Sequence, residues 1–143
     1  LHLKMLAYGY PWDTVQMPLN PLDGNYLSFE KWVLPVLIKK NIAPLAMKTR
    51  AGGELVRANI CTPEELWRYV TALPVSTVVS GMESTELLES NLRFSRELKP
   101  MSAGEMEKIR KRVKEAAEGG KHEGYKMSRR FDGWMGRKLH GIT

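Results

Sequence analysis

The chain has 143 residues, of which 43% are apolar and 27% charged, so it is long enough for one domain with a real core. Its longest apolar run, Trp32–Ile38, is far too short to span a bilayer, and the opening Leu1-His2-Leu3-Lys4-Met5 carries no signal-peptide core. A single cysteine, Cys61, excludes an internal disulfide framework and fits a reducing cytoplasm, where we expect the protein to reside.

The net charge of +6 is concentrated late, with 11 Lys/Arg against 6 Asp/Glu in residues 105–143. Such a tail can engage phosphates. Acidic residues are interspersed throughout it, however, so it reads as a solvated surface and nucleic acid is not an expected partner. The chain opens on Leu, which raises the expectation of a fragment or a trimmed product.

Taken in order, the sequence repeats one grammar three times: a short apolar strand, a small polar loop and an amphipathic helix. The first unit predicts a strand over 14–19, a loop through Leu27 and a helix over 28–40. Ser28 suits its N-cap and Glu30 its first turn. The second strand, 42–47, runs into the flexible-looking Lys48-Thr49-Arg50-Ala51-Gly52-Gly53. Its helix opens at Thr62-Pro63-Glu64-Glu65, a capping box with proline at the first helical position, and stops before Pro74. The third strand, 77–80, meets Ser80-Gly81 and leads into a helix over 85–97. A fourth helix starts at the capping box Ser102-Ala103-Gly104-Glu105 and ends at Gly119-Gly120. Residues 122–143 lack periodicity and read as an irregular basic tail, with Phe131 and Trp134 docking on a domain formed by 1–121. Trp12, Trp32 and Trp67 read as core or interface packing, and Tyr69 as core.

Strands alternating with helices imply an α/β fold with parallel βαβ units. Parallel sheets bury both faces, yet no spare helix is evident for the second face. Either the fourth helix covers it, giving a small three-layer sandwich, or the sheet is part of a barrel.

The segments Asp13-Thr14-Val15-Gln16-Met17-Pro18-Leu19-Asn20-Pro21, Ile42-Ala43-Pro44-Leu45-Ala46-Met47-Lys48 and Val78–Asn91 resemble the last three βα units of the aldo-keto reductases, in order, spacing and loop chemistry. The likeness runs from about Met5 to Phe131-Asp132-Gly133. It implies half of a (β/α)₈ barrel, three parallel strands with helices, completed by self-association into a homodimer. It also implies an oxidoreductase that uses NAD or NADP. By this resemblance Gln16 holds the nicotinamide carboxamide and Met47 packs on the nicotinamide ring in place of a more usual tyrosine. Ser80, Gly81, Met82 and Ser84 form the phosphate loop, and Asn91 reaches the adenine. Leu87 stands where members that prefer NADPH often carry an arginine, and Glu83 adds negative charge nearby. The preference between NAD and NADP therefore stays open, with Arg93 or Lys99 as possible substitutes.

The family's catalytic Tyr, Lys, Asp and His belong to the half that this chain lacks. Weak cofactor binding with little carbonyl reduction is the implied outcome. Tyr26 and Lys48, both at the strand-end rim, are weak stand-ins for proton donation. Two other readings remain: a non-catalytic half-barrel assembly module, or a new activity such as hydrolysis at that rim. The histidines His2, His122 and His140 lack ligand spacing, so no metal is expected.

Overall fold

A computed structural model describes residues 1–128 together with Lys138 and Gly141. The expected docking of Phe131 and Trp134, and the fate of His140, fall outside the described residues. Three parallel strands, β1 (Thr14–Pro18), β2 (Ala43–Met47) and β3 (Thr77–Val78), form one sheet in the order β1-β2-β3. Gln16 faces Leu45, and Leu45 in turn faces Thr77. The third strand is shorter than the sequence suggests, its ladder ending at Val78, one residue before the Ser80-Gly81 pair. The Val79 amide still donates to the Ala46 carbonyl at 2.8 Å, and Leu19 N–H reaches the Met47 carbonyl at 3.0 Å.

Beyond β1, Asn20 and Asp23 organise the loop. The Asn20 Oδ1 accepts from the Leu22 and Asp23 amides, and Asp23 accepts from the Phe29 and Glu30 amides and the Ser28 hydroxyl. Ser28 caps as expected, its hydroxyl accepting from the Lys31 amide at 2.9 Å. The helix predicted over 28–40 breaks at Val33 into α2 (Phe29–Trp32) and α3 (Leu34–Lys39). Pro35 explains the break, since proline lacks the N–H that the preceding turn would use.

An N-terminal helix, α1 (His2–Ala7), and a single turn, α4 (Glu54–Arg57), were not evident in the sequence. The stretch after β2 is a tight 3₁₀ turn, Ala51–Gly53, with Gly53 left-handed at φ 88°. The helix α5 (Pro63–Val70) carries the full Thr62/Glu65 capping box and buries Leu66, Tyr69 and Val70 on one face, with Leu73 buried just beyond its end. The longest helix, α6 (Thr85–Glu97), starts at the predicted residue. The fourth predicted helix becomes α7 (Ala103–Arg112) and α8 (Lys114–Ala117), capped by Ser102 and Glu105. A further turn, α9 (Gly124–Met127), replaces part of the expected irregular tail.

The core lies on one side of the sheet. Met17 and Ala46 are fully buried there, joined by Leu19, Leu22, Leu37, Leu55 and Val113. On that side α7 joins the helical layer: Arg110 donates to the Tyr69 hydroxyl at 2.9 Å and pairs with Glu30, while Arg68 pairs with Glu105 at 2.7 Å. The three-layer alternative is thereby corrected, because α7 lies against α2 and α5 and does not cover the opposite face. On that opposite face Thr14, Gln16 and Thr77 are exposed, with Leu45 half-buried between them. For Trp32 the core alternative is corrected, since its side chain is 67% exposed in the single chain. No helix of the described residues is long and apolar enough to cross a membrane.

Candidate functional site

The C-terminal ends of parallel strands form a rim from which loops and helix N-termini project. At β3 the rim passes through Ser80–Ser84 into α6. Ser84 caps that helix, its hydroxyl accepting from the Leu87 amide at 3.3 Å. Asn91, two turns along α6 and only 6% exposed, donates from Nδ2 to the Gly81 carbonyl at 3.1 Å and so pins the loop to the helix. Its Oδ1 accepts from Arg50 Nη2 at 2.6 Å. A guanidinium offers five donors in one plane, and this bond engages one of them.

Arg50 is the residue that sequence reasoning passed over. It sits in the 48–53 turn that follows β2, where the left-handed backbone of Lys48 and the glycines bend the chain back towards α6. Burial pulls its pKa below the usual arginine value, opposed by the nearby Glu83 carboxylate. A partly desolvated cation held by a neutral amide is suited to an anionic ligand. The only hint in the sequence was a strand-end loop with Lys48 and Arg50 beside two glycines.

The hydroxyl oxygen of Ser80 is buried and has no hydrogen-bond partner among the described residues. Glu83 folds back over Gly81, where a Cβ would meet its carboxylate at 3.0 Å. Ser80, Gly81, Ser84 and Asn91 thus share one loop–helix unit, whereas Met82 projects outward at 61% exposure. Met47 lies at the end of β2, half-buried and paired with Pro18. Gln16 lies two strands from the loop, about 10 Å across the sheet by ordinary strand spacing. Its side chain is on the open face, and its carbonyl oxygen lies 3.3 Å from His2 Nε2. Of the suggested cationic substitutes, Arg93 stacks over Phe94 at 5.2 Å and Lys99 lies 4.0 Å from Glu97.

Tyr26 and Lys48, the two stand-ins suggested by the sequence, are engaged separately. The Tyr26 hydroxyl donates to Met127 Sδ at 3.1 Å, and the Lys48 side chain is exposed. A different tyrosine, Tyr125, donates to Glu123 at 2.6 Å near the same rim. Burial, and then the bond to Glu123, raise its pKa strongly. That is the wrong direction for a proton donor near neutral pH. Among the described residues no group of three or more His, Cys, Asp or Glu could hold a metal ion. Cys61 is buried, and burial raises its thiol pKa, so it is not an activated nucleophile.

No protein-family model, curated protein or solved structure matches the chain.

Proposed function

We propose that the chain is the cofactor-holding part of an aldo-keto-reductase-like oxidoreductase, binding NAD or NADP weakly and reducing little carbonyl substrate alone. The observation that carries this reading is the Arg50–Asn91–Gly81 bridge at the capped N-terminus of α6. It brings a guanidinium to the loop that leads into a capped helix N-terminus at a strand-end rim, a donor set that fits a phosphate. The resemblance of Gln16, Met47 and the 80–91 segment to the reductases supports a dinucleotide in particular. Bound there, a reduced nicotinamide would supply hydride. The protein's own residues would hold and orient the dinucleotide, with Arg50 and Asn91 at the phosphate and adenine side and Gln16 and Met47 at the nicotinamide side. Efficient reduction also needs a positioned acid, worth roughly 10²–10⁴-fold, and neither Tyr26 nor Tyr125 is arranged to serve.

Calorimetric titration with NADPH and NADH tests the proposal. Heat of binding at roughly millimolar cofactor is expected, weakened about tenfold or more by Arg50→Met through loss of a charge-assisted bond. Absence of binding at those concentrations, or affinity indifferent to Arg50→Met and Asn91→Ala, would reject it.

The open sheet face favours a companion reading, that of an assembly module. Thr14, Gln16 and Thr77 are exposed there, and the outer edges of β1 and β3 lack strand partners within the described sheet. Parallel sheets with a bare face are association-prone. A second copy that closes the two sheets on each other would complete the half-barrel as a C2 dimer. Light scattering should then give twice the 16.3 kDa chain mass, and a Leu45→Glu variant should return it to a monomer. Wild-type monomers at every micromolar concentration would dismiss this reading without touching the cofactor proposal.

A further inference from the structure

Past α8 the chain combines a double-glycine turn with a buried ion cluster. Gly119 and Gly120 have φ of 61° and 65°, a region that glycine enters without the usual Cβ penalty. Residues 121–127 then fold back over the loop that follows β1. The Lys126 side chain is 2% exposed, and its ammonium lies 2.7 Å from Asp23 Oδ1, 2.7 Å from the Tyr26 carbonyl and 2.9 Å from Glu123 Oε2. Two of its hydrogens are thereby used, on Asp23 and the Tyr26 carbonyl, while Glu123 Oε2 is held as an ion pair and is left buried without a hydrogen bond. Glu123, 1% exposed, accepts on Oε1 from Tyr125 at 2.6 Å and from Asn20 at 3.1 Å.

Three features make this more than packing. The 19–28 loop is hydrogen-bonded without the segment, through the bonds of Asn20 and Asp23 described above. The closed cluster sets two buried carboxylates against one ammonium, and for such groups the desolvation penalty can match or exceed the Coulombic gain. Closure is therefore a finely balanced state. Finally, a Cβ on Gly120 would come within 2.9 Å of both Met127 Cγ and Tyr26 Cε1. A side chain at 120 therefore fits only when Met127 and Tyr26 have moved apart.

We infer that residues 121–127 are a hinged strap that turns about Gly119–Gly120 and is latched over the 19–28 loop by Lys126, opening without unfolding the sheet and its helices. Asn20 also donates to the Lys48 carbonyl at 3.3 Å, so the latch lies over the C-terminal ends of β1 and β2. Opening would bare that rim.

Hydrogen exchange of the full chain, read by mass spectrometry, tests the inference on wild type, Lys126→Met and Gly120→Ala. The reporters are the amides of Glu123 and Lys126, which donate to the Gly120 and Glu123 carbonyls. Each variant should raise exchange in 121–127 by about tenfold or more, while 43–47 and 63–70 keep their protection. Unchanged strap exchange in both variants overturns the inference, as does an increase shared equally by β2 and α5. Should neither variant fold, the wild type decides alone. Strap amides that exchange faster than those of β2 support a separate opening, and equal rates refute it.

Discussion

Replacing Tyr69 by Phe probes how the helical layer is held together. The side chain is fully buried, and its hydroxyl stands between two charges, donating to Glu30 Oε2 at 2.6 Å and accepting from Arg110 Nε at 2.9 Å. These bonds join α2, α5 and α7. Phenylalanine keeps the ring and removes both bonds. Each hydrogen bond to a charged group is worth about 1.5–3 kcal/mol. Glu30 and Arg110 still pair with each other in the variant, and Arg110 keeps 24% of its side chain in water, which discounts the sum. A loss of about 2–3 kcal/mol is expected, or roughly 5–10 °C in Tm for a domain of this size.

The same residue gives a second readout. Burial raises the Tyr69 pKa far above its ordinary 10.0, with the Glu30 charge adding to the effect. The folded group therefore holds its proton where the unfolded one releases it. Its stabilising contribution is complete below pH 10 and is lost as pH rises above that value. One proton of difference corresponds to a slope of about 1.4 kcal/mol per pH unit. Urea unfolding followed from pH 9 to pH 11 should show the Tyr69→Phe variant losing stability less steeply by about that amount. A loss under about 0.5 kcal/mol at pH 7, together with an unchanged alkaline slope, would show that the triad contributes nothing.

Three further substitutions address other parts of the fold. At α7 the Glu105 carboxyl is held down to about 2 by the Ser102 amide and then by Arg68, so its contribution is present above the ordinary 4.5 and fades as pH falls towards 2. Glu105→Gln should flatten the acid limb of a thermal-melt profile, and Ser102→Ala should cost about 1 kcal/mol at neutral pH. Leu37→Ala empties a fully buried site beneath the sheet. It should cost about 2–5 kcal/mol by lowering the urea midpoint without changing the slope.

What the sequence made legible was local. The capping boxes at Thr62 and Ser102, the Ser28 cap and the cores of the three strands each rest on residues close in sequence, and each is found where expected, the third strand in shortened form. The parallel pairing followed from alternation of strand and helix. Failures occurred where distant residues decide. Whether α7 covered the open face or joined the helices could not be read from its pattern, because that depends on Arg110 finding Glu30 and Tyr69 80 and 41 residues away. The break at Val33 was foreseeable from Pro35, but a continuous apolar stripe masked it.

The candidate site divides along the same line. Ser84 and Gly81 announce themselves as a strand-to-helix junction, since small residues and a hydroxyl cap are local requirements. Arg50 does not, because its partner Asn91 is 41 residues away and the connecting turn reads only as a flexible glycine stretch. That Tyr26 is engaged elsewhere than at Lys48 has a related reason. Both residues do sit at the rim, but Met127, 101 positions on, takes the tyrosine hydroxyl. An anion arriving at Arg50 must contend with Glu83, which already offsets the desolvation of that guanidinium. Binding would have to replace one carboxylate's field with a phosphate's, so Glu83 sets how much of Arg50's charge remains for a ligand. Affinity for a dinucleotide should therefore rise when Glu83 is neutralised and fall when Arg50 is, a pair of opposite signs that a merely structural bridge between loop and helix would not produce.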